Sequence, residues 1–283
     1  MKDNLTAIIL TFNEEVHLER CLCNLQKLTN NILVVDSGSF DKTQEISKKF
    51  GAKFLKYPWP GSHSQQLRKV INEFEFSTDW QLRIDADEYL SDALIDEIKT
   101  EINKDNQCFD GFYLKRQNIF FGKKLRFGGM KATHIIRLWR TNKAKSDNNL
   151  MDEKIIIDND SVGTLNNFFY DHNLKPFSDW CYKHIDYSYK EALQSIVYSQ
   201  KKSFSSKEKY YYYKLPIFLR PIIFFIYRYI FRLGFLDGLQ GFIWHFFQGL
   251  FYRFLVDVQI FSFLRNNKDP IISIKKEYPD FFR

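Results

Sequence analysis

Three carboxylic acids follow a short apolar run in the stretch WQLRIDADEYLSDALIDEI, residues 80–98. They are Asp85, Asp87 and Glu88. Carboxylates this close repel one another, and their ionised forms are favoured when a positive group lies near them. The stretch therefore predicts a cationic partner for these acids, and the alternative is an acidic cluster at the start of a helix. Ser91 already offers a cap for that helix, which favours the first interpretation.

Apolar runs and helical patterns alternate through the first hundred residues. The runs Leu5–Thr11 and Asn31–Asp36 predict buried parallel strands, and the segment from about Glu15 to Leu28 predicts the helix that joins them. The pattern continues with a helix at about Lys42–Phe50, a strand at Lys53–Tyr57, a helix at Ser64–Phe74 and a strand at Trp80–Ile84. The acids then follow the fourth strand of an open α/β sheet, at the edge where such sheets bind ligands.

Two common nucleotide-binding signatures are missing from the sequence. No G-x-G-x-x-G follows the first strand, and no G-x-x-x-x-G-K-[ST] occurs anywhere in the chain. The first strand ends in TFNEE, residues 11–15, and the second ends in DSGSFDKT, residues 36–43. Both ends are rich in acids where a phosphate-binding loop is rich in glycine, so the dinucleotide-fold and P-loop interpretations lose their main support.

Three ordered blocks of this region resemble the family 2 glycosyltransferases, which are inverting enzymes with a nucleotide-diphospho-sugar donor and the GT-A fold. The blocks are AIILTFNEEVHLERCL, ILVVDSGSFDKTQEI and DWQLRIDADEYL. The resemblance covers about the first hundred residues. It implies an α/β protein whose nucleotide-binding, mostly parallel sheet is flanked by helices.

The resemblance implies that the acids bind a divalent cation, which bridges the two phosphates of the donor. Asp87 is then the direct ligand, and Asp85 contacts the ribose or a metal-bound water. The chemistry agrees, because hard carboxylate oxygens suit Mg²⁺ or Mn²⁺ and such ions are commonly held by one or two carboxylates together with substrate phosphates.

The same resemblance assigns residues to the nucleotide. Thr11, Asn13 and Glu14 are expected to line the uridine pocket, and Asp36 is expected to contact the base or the ribose. For Asp36 a turn-forming role is the alternative, since a Ser-Gly-Ser turn follows it. Arg68 departs from the family pattern, which often has Asn at this point. A phosphate contact and a solvated helix face are equal alternatives for Arg68.

The middle of the chain carries the candidate base. Strands are predicted at Phe112–Phe120 and Thr133–Arg140, around the connection Phe127-Gly128-Gly129. In the branch of the family that includes lipopolysaccharide core β-glucosyltransferases, a His-Glu pair follows. Here Asp152 replaces the His, and Glu153 matches the acid and is the candidate general base. Asp152 as the base and an exposed structural acid at 153 are the alternatives.

His172, in the stretch FFYDHNLKPFSDW, lies where relatives often carry a His that completes the metal site. An imidazole is a reasonable further ligand. A purely structural histidine is the equal alternative. The other five histidines have no spacing that indicates a cluster.

The C-terminal part is basic and aromatic. A helix is predicted at Asp179–Gln200 and a polar hinge at Lys201–Lys214. The apolar segment from Leu215 to Asp257 is interrupted by arginines, and no uncharged run reaches the roughly 18 residues that span a membrane. Amphipathic helices lying on a membrane surface are therefore expected, with a helical cap or a dimer interface as the alternative.

Composition adds three expectations. The net charge of +7 and the aromatic content of 18% favour an anionic partner surface, and lipid is expected rather than nucleic acid because no nucleic-acid motif is present. Cys21, Cys23, Cys108 and Cys181 lack paired spacing and are expected to be reduced and mostly buried. The N-terminal apolar run is too short for a signal peptide, which predicts a cytoplasmic protein.

Together these expectations describe a GT-A domain at residues 1–175 and a helical, membrane-associated region at 176–283. Within the domain, 1–105 binds the nucleotide sugar and 106–175 forms the acceptor side. The expected reaction is inverting, metal-dependent transfer of a hexose, glucose from UDP-glucose, to a lipopolysaccharide core or other lipid-linked acceptor at the cytoplasmic face of the inner membrane. Transfer to capsule, teichoic acid or protein, and an inactive sugar-nucleotide binder, are the alternatives.

Overall fold

A computed structural model describes residues 4–61, 63–104, 107–130, 133–147, 154–157, 161–201 and 207–278. The chain forms two compact units. We call residues 4–124, 133–147 and 154–174 the N-terminal unit, and residues 125–130 and 175–278 the C-terminal unit, in each case for the residues that the structure describes.

The N-terminal unit is built on a mixed sheet. Its strands are β1 (Leu5–Thr11), β2 (Ile32–Asp36), β3 (Lys53–Lys56), β4 (Trp80–Asp85), β5 (Glu88–Leu90), β6 (Gly111–Phe120), β7 (Lys123–Lys124), β8 (Thr133–Arg140), β9 (Ala144–Ser146), β10 (Ile155–Ile157) and β11 (Val162–Asp171). The order is β3-β2-β1-β4-β8-β6-β11-β5, with β7 paired to β6 and with β9 and β10 forming a separate pair. The first four strands run parallel, as predicted, and β1 and β2 are buried along their whole length.

Helices of the N-terminal unit pack on this sheet through apolar faces. They are α1 (Glu15–Leu25), α2 (Thr43–Lys49), α3 (His63–Glu73) and α4 (Asp92–Ile102). Leu18, Cys21, Leu22 and Leu25 form the buried face of α1. Ser91 caps α4 by accepting a hydrogen bond from the Leu94 amide, as predicted. The predicted α/β class, with helices flanking the sheet, is confirmed. The sheet as a whole is mixed, because the parallel strands β1 to β4 continue through antiparallel pairs with β8.

Helix α1 ends three residues earlier than the sequence pattern predicts. Thr29 explains the difference, because its hydroxyl donates to the Leu5 carbonyl oxygen at 2.6 Å and brings the chain back to β1. The Thr29 amide also donates to the Leu25 carbonyl oxygen at 2.9 Å, which closes the last turn. The continuing apolar pattern at Leu28 is therefore used for packing in a turn.

The C-terminal unit is helical and has its own core. Its elements are α5 (Phe177–Lys201), α6 (Lys207–Lys214), α7 (Leu219–Ile226), a π-helical turn (Tyr227–Phe231), a 3₁₀ turn (Gly234–Asp237), α8 (Gly238–Trp244), a second π-helical turn (His245–Phe251), α9 (Tyr252–Asn266) and α10 (Pro270–Glu277). Ala192, Leu193, Ile196 and Val197 of α5 pack with Tyr252, Val256 and Ile260 of α9 and Ile274 of α10. Among the described residues, no helix is both long enough and apolar enough to cross a bilayer.

Two sequence predictions are wrong in detail. Lys207–Lys214, predicted as part of a hinge, is a helix, because Tyr213 packs against the core of the unit and its hydroxyl donates to Glu191 at 3.3 Å. All four cysteines are free, as predicted, but only Cys21 is buried. Cys23 is exposed because it lies two positions after the buried Cys21 on α1, and residues two apart on a helix point in different directions.

The segment 125–130 lies between β7 and β8 in sequence but belongs to the C-terminal unit. The amides of Arg126 and Phe127 both donate to Oδ2 of Asp237 at 2.9 Å. The Gly128 amide donates to the Arg232 carbonyl oxygen at 2.8 Å. These bonds satisfy the backbone of a short loop through the 3₁₀ turn and the turn before it.

Candidate active site

The carboxyl ends of β2, β1 and β4 lie side by side at one edge of the sheet. The register aligns Thr11 with Asp36 and Leu10 with Asp85. β2 and β4 lie on opposite sides of β1, so the strand order reverses here, and open α/β sheets bind ligands at the carboxyl edge beside such a reversal. The structure therefore brings three of the predicted site positions onto neighbouring strand ends.

Asp36 is buried and organises the turn after β2. Its Oδ1 accepts from the amides of Gly38 at 2.9 Å and Ser39 at 2.7 Å, and its Oδ2 accepts from the hydroxyls of Thr11 at 3.0 Å and Ser39 at 2.5 Å. Through these contacts Asp36 forms the turn, which is the alternative role given for it from the sequence. Its contact with a base or ribose stays a prediction, as does the pocket role of Thr11, which is itself buried.

Asn13 joins the loop after β1 to the loop after β2. It has φ 55°, its amide donates to Oγ of Ser39 at 2.7 Å, and its Oδ1 accepts from the Phe40 amide at 3.0 Å. Phe12 and Phe40 beside it are exposed, with ring centroids 6.2 Å apart in an edge-on arrangement. Exposed rings at such a sheet edge can stack on a planar base. Neither Phe12 nor Phe40 was predicted from the sequence as a site residue.

Glu14 acts through a buried histidine. Its Oε2 lies 2.6 Å from Nδ1 of His17, and Nε2 of His17 accepts from the Leu174 amide at 2.7 Å. Because Nε2 is an acceptor, Nδ1 carries the proton and donates to Glu14. The chain after β11 is thereby fixed to α1. The i, i+3 spacing of Glu14 and His17 was the available sequence signal.

The positive partners of Asp85 and Glu88 are two arginines. Arg83 donates to Oδ1 of Asp85 at 2.9 Å, and Arg137 donates to Oδ2 of Asp85 at 3.0 Å and to Oε1 of Glu88 at 2.8 Å. Both arginines are buried. From the sequence, a metal was the expected positive partner of these acids. The only sequence signal for the two arginines was their position inside apolar strands.

Glu88 is held between opposing influences. Burial raises its pKa to about 8, the negative charges of Asp85, Asp171 and Asp87 act in the same direction, and Arg137 opposes them. Its Oε2 accepts from the Asp85 amide at 2.9 Å, so this carboxyl group fixes the backbone of the acidic turn. Glu88 is therefore a supporting residue whose side chain does not reach solvent.

The predicted metal residues Asp87 and His172 are neighbours. The His172 amide donates to the Asp87 carbonyl oxygen at 3.1 Å, next to the antiparallel pairing of β5 with β11. Nη2 of Arg20, on α1, donates to the carbonyl oxygens of both Asp87 at 2.9 Å and His172 at 2.8 Å. Oδ2 of Asp87 accepts from Nδ2 of Asn173 at 3.1 Å. One guanidinium thus clamps together two segments that are 85 residues apart.

A divalent cation fits Asp87 better than His172. The described residues contain no group of three or more His, Cys, Asp or Glu side chains suited to a metal, so phosphates would have to supply further ligands. Asp87 offers a half-buried carboxylate. Nη1 of Arg20 lies 3.3 Å from Nδ1 of His172, and because a guanidinium only donates, Nδ1 accepts.

The proton of neutral His172 is therefore on Nε2. Burial and the positive charge of Arg20 lower the pKa of His172, which favours the neutral ring. In this arrangement Nε2–H is a donor to an anion, and binding a metal through Nε2 would first move the proton to Nδ1, opposite Arg20. The ligand role of His172 stays a prediction.

Arg68 lies on α3, and its Nη2 donates to the Asp147 carbonyl oxygen at 2.9 Å. The Asp147 amide donates to the Lys154 carbonyl oxygen at 3.0 Å, which closes the base of the connection between β9 and β10. Asp152 and Glu153 belong to that connection and lie outside the described residues. Arg68 thus braces the start of the segment with the candidate bases, and a phosphate contact for it stays a prediction.

Comparisons with known proteins place these residues in a family context. Residues 6–174 match the family model described as Glycosyl transferase family 2. An uncharacterised glycosyltransferase of Rickettsia conorii is 38% identical over 107 residues, which are 38% of this chain and 37% of that protein. The match thus spans about a third of the length of that curated relative.

Similarity along most of the chain occurs with the lipopolysaccharide core biosynthesis glycosyltransferase LpsC of Rhizobium meliloti. It is 29% identical over 266 residues, which are 91% of this chain and 92% of that protein. Among solved structures, S. aureus TarS 1–349 in complex with UDP-GlcNAc has 13% identity and a TM-score of 0.47, covering 93% of this chain and 92% of that one.

Proposed function

The chain belongs to glycosyl transferase family 2, and on this premise we propose that it is an inverting enzyme that transfers a hexose from a UDP-sugar to a lipopolysaccharide core or other lipid-linked acceptor. One observation carries the proposal. Arg20 holds Asp87 and His172 together beside Asp85, at the sheet edge that also presents the exposed ring of Phe12. A nucleotide diphosphate needs both features, a flat apolar surface for its base and an acidic, metal-competent corner for its phosphates.

The base of the donor is expected to stack against Phe12 or Phe40. The turn built by Asp36 keeps the second loop in place, and Asn13 ties that loop to the first. Because these bonds lie within the protein, they hold the two loops in place, which lowers the entropy cost of binding. The nucleotide contacts of Thr11, Asn13, Glu14 and Asp36 are part of the proposal.

The diphosphate is expected to lie against Asp87 and His172. Mg²⁺ or Mn²⁺ held by Asp87 would offset the negative charge of the diphosphate that leaves. Nε2–H of His172 is oriented as a donor by Arg20, so it can bind a phosphate oxygen in the same corner. Asp85, whose oxygens already accept from Arg83 and Arg137, gives that corner a fixed shape and can accept a ribose hydroxyl.

Inversion requires one displacement, in which a base removes the proton of the acceptor hydroxyl as it attacks the anomeric carbon. A positioned base contributes roughly 10²- to 10⁴-fold to the rate. We assign this role to Glu153, with Asp152 as the alternative.

The acceptor proposal rests on the similarity to the lipopolysaccharide core biosynthesis protein, extended to this chain. Glucose is the sugar we propose. Since such acceptors are lipid-linked, the C-terminal unit is proposed to lie on the cytoplasmic face of the inner membrane. Capsule, teichoic acid or protein acceptors are the alternative, which a product assay with each acceptor class distinguishes.

The deciding experiment is calorimetric titration of UDP, with GDP and CMP as controls, in Mn²⁺ and in EDTA. Wild type is expected to bind UDP in Mn²⁺, and Asp87→Ala is expected to lose the metal-dependent part. Asp92→Ala is the matched control, because Asp92 is an exposed acid in the same stretch that pairs only with Lys27 among the contacts described. Metal-independent UDP binding, or equal losses in both variants, would overturn the site.

The base is tested by turnover with a UDP-sugar donor. Glu153→Gln is expected to lower kcat by roughly 10²-fold or more while UDP binding is unchanged. Near-normal turnover in Glu153→Gln together with a large loss in Asp152→Asn would assign the role to Asp152 instead.

A further inference from the structure

The C-terminal unit exposes an apolar tip. We define the tip as residues 226–242, which contain the first π-helical turn, the 3₁₀ turn and most of α8. Phe231 is 73% exposed and Leu239 is 68% exposed. Leu233, Phe235, Leu236 and Phe242 are exposed beside them. A soluble surface rarely places so many large apolar side chains in one short segment.

The polarity of this turn is the reverse of an ordinary surface turn. Asp237, the acid of the turn, is buried and accepts the amides of Arg126 and Phe127. Leu233 has φ 59° and is exposed, although this backbone region is normally occupied by Gly or Asn. Water would favour a polar residue at each exposed position. The apolar residues are therefore matched to a different medium.

We propose that the apolar tip inserts into one leaflet of an anionic lipid surface. The proposal deepens the proposed function, because it identifies the part of the chain that meets the membrane. Amphipathic segments of this kind bury their apolar side chains in the boundary between headgroups and acyl chains without crossing the bilayer. Binding at this boundary does not require a helix that crosses the bilayer, and none of the described helices is a candidate for one.

Charge selects lipid as the occupant. Residues 207–278 contain eleven Lys and Arg against five Asp and Glu. Arg220 and Asp257 are buried as a pair, and Asp237 is buried as well, so the cations are still in clear excess among the other residues. Arg232, inside the tip, is exposed. Anionic headgroups complement this excess of cations, whereas a second copy of the chain would bring like charges together.

The test is co-sedimentation with vesicles of phosphatidylcholine alone and with 30% phosphatidylglycerol. Wild type is expected to pellet with the anionic vesicles and less at high salt. The double variant Phe231→Ser/Leu239→Ser is expected to lose at least about tenfold in partitioning, since two large side chains no longer leave water. Both substituted positions are exposed, so folding is expected to be retained, and circular dichroism checks it.

The matched control is Tyr182→Ser/Ile272→Ser, on α5 and α10, where the side chains are 74% and 66% exposed. It removes similar exposed apolar groups from the same unit and is expected to pellet like wild type. Equal pelleting of the tip double variant and wild type would overturn the proposal. So would a concentration-dependent dimer that the tip substitutions abolish without any vesicle binding, since that outcome assigns the tip to a second copy.

Insertion has a second readout that does not depend on activity. An environment-sensitive fluorophore on Leu239→Cys, in a background with Cys23, Cys108 and Cys181 replaced by Ser, is expected to shift to the blue with anionic vesicles. The same fluorophore on Ile272→Cys is expected to stay unshifted. A tip double variant that still binds UDP in Mn²⁺ but not vesicles separates failure of this proposal from failure of the transferase site.

Discussion

Asp85, Asp87 and Glu88 share one short stretch but have different partners. Asp85 and Glu88 contact Arg83 and Arg137, whereas the side chain of Asp87 accepts from Asn173. The repulsion among the acids is thus offset inside the protein for two of them. Asp87 is half-buried and its Oδ2 accepts from the neutral amide of Asn173, and it is the carboxylate that we propose for an added cation.

Arg20 tests this division at the level of one side chain. Arg20→Met removes the bonds that hold Asp87 and His172 together, so the Mn²⁺ concentration for half-maximal UDP binding is expected to rise roughly 10- to 100-fold. Arg20→Lys is expected to recover part of the loss because a single charge remains. Lys27→Met, in the turn that follows α1 and in an exposed pair with Asp92, is the control. An unchanged Mn²⁺ requirement in Arg20→Met would contradict the clamp.

Arg137 tests the internal neutralisation. Arg137→Met leaves Glu88 and Asp85 without their shared guanidinium, and breaking a buried pair in this way is expected to lower the free energy of unfolding by about 3–5 kcal/mol. Urea unfolding measures the change. Arg137→Met/Glu88→Gln is expected to regain part of it, and Lys49→Met, which breaks an exposed pair with Glu19, is expected to cost less than about 1 kcal/mol. A small effect in Arg137→Met would show that water replaces the guanidinium.

The positions of the acids could be predicted from the sequence, because they follow directly from the end of a recognisable strand. Arg20 and Arg137 could not, since their partners lie 49 to 152 residues away and only the fold brings them together. The bond between His17 and Leu174, 157 residues away, could not be predicted for the same reason. His17 is an example of a residue that spacing alone left without a role. The structure gives it two hydrogen bonds and a defined tautomer.

At the scale of elements, the parallel strands were the most predictable part. Runs of buried β-branched residues have few alternatives, and β1 and β8 begin and end where the sequence predicts. Helix α6 was missed because KEKYYYYK has no apolar periodicity. Its stability comes from tertiary packing, including Arg220, which lies 4.7 Å from the ring centre of Tyr213. Local patterns do not contain that information.

Gly128 shows how closely the elements of the C-terminal unit pack. It has φ +68°, and a Cβ atom there would lie 2.0 Å from Nε2 of His245. Gly128→Ala is therefore expected to cost about 1–3 kcal/mol more than Gly122→Ala, where φ is +73° but the space is open. Thermal unfolding measures both. Gly128→Ala/His245→Ala is expected to regain the packing part, and equal losses in the two single variants would contradict a clash with His245.

His184 gives helix α5 a dependence on pH. Its ring stacks on Trp180 at 3.6 Å, Nδ1 donates to the Trp180 carbonyl oxygen at 2.8 Å, and burial with nearby Lys183 lowers its pKa to about 4. Because the unfolded group has an ordinary pKa near 6.5, its contribution to stability is present above pH 6.5 and is lost as the pH falls towards 4.

His184→Phe keeps a ring on Trp180 and removes the titration. The variant is expected to lose less stability than wild type between pH 6.5 and 4.5, as measured by urea unfolding at each pH. Parallel curves for the two proteins would mean that protonated His184 is tolerated in the folded state.

At the scale of the whole molecule, the two units divide the proposed work. The N-terminal unit has the sheet edge with the acids, and the C-terminal unit has the apolar tip. The fold class and the family were predictable because both depend on the first hundred residues. The exposure of the tip was only partly predictable, since the same apolar sequence is compatible with a buried helical cap.

Hydrogen exchange tests the division. UDP with Mn²⁺ is expected to slow exchange in the loops 12–14, 37–41 and 86–88, and anionic vesicles are expected to slow it in 232–242. GDP is the control for UDP, and zwitterionic vesicles are the control for anionic vesicles. Protection of the tip by UDP, or of the three loops by vesicles alone, would contradict the assignment of one ligand to each unit.

The loop at residues 125–130 has a consequence for synthesis. The Arg126 amide is satisfied by Asp237, which is 111 residues later in the chain. At ordinary elongation rates the ribosome adds that length in about 5 to 20 s. Throughout that interval the loop has been synthesised but its partner in the same unit has not yet been translated. Completion of the C-terminal unit therefore waits for the segment that we propose meets the lipid.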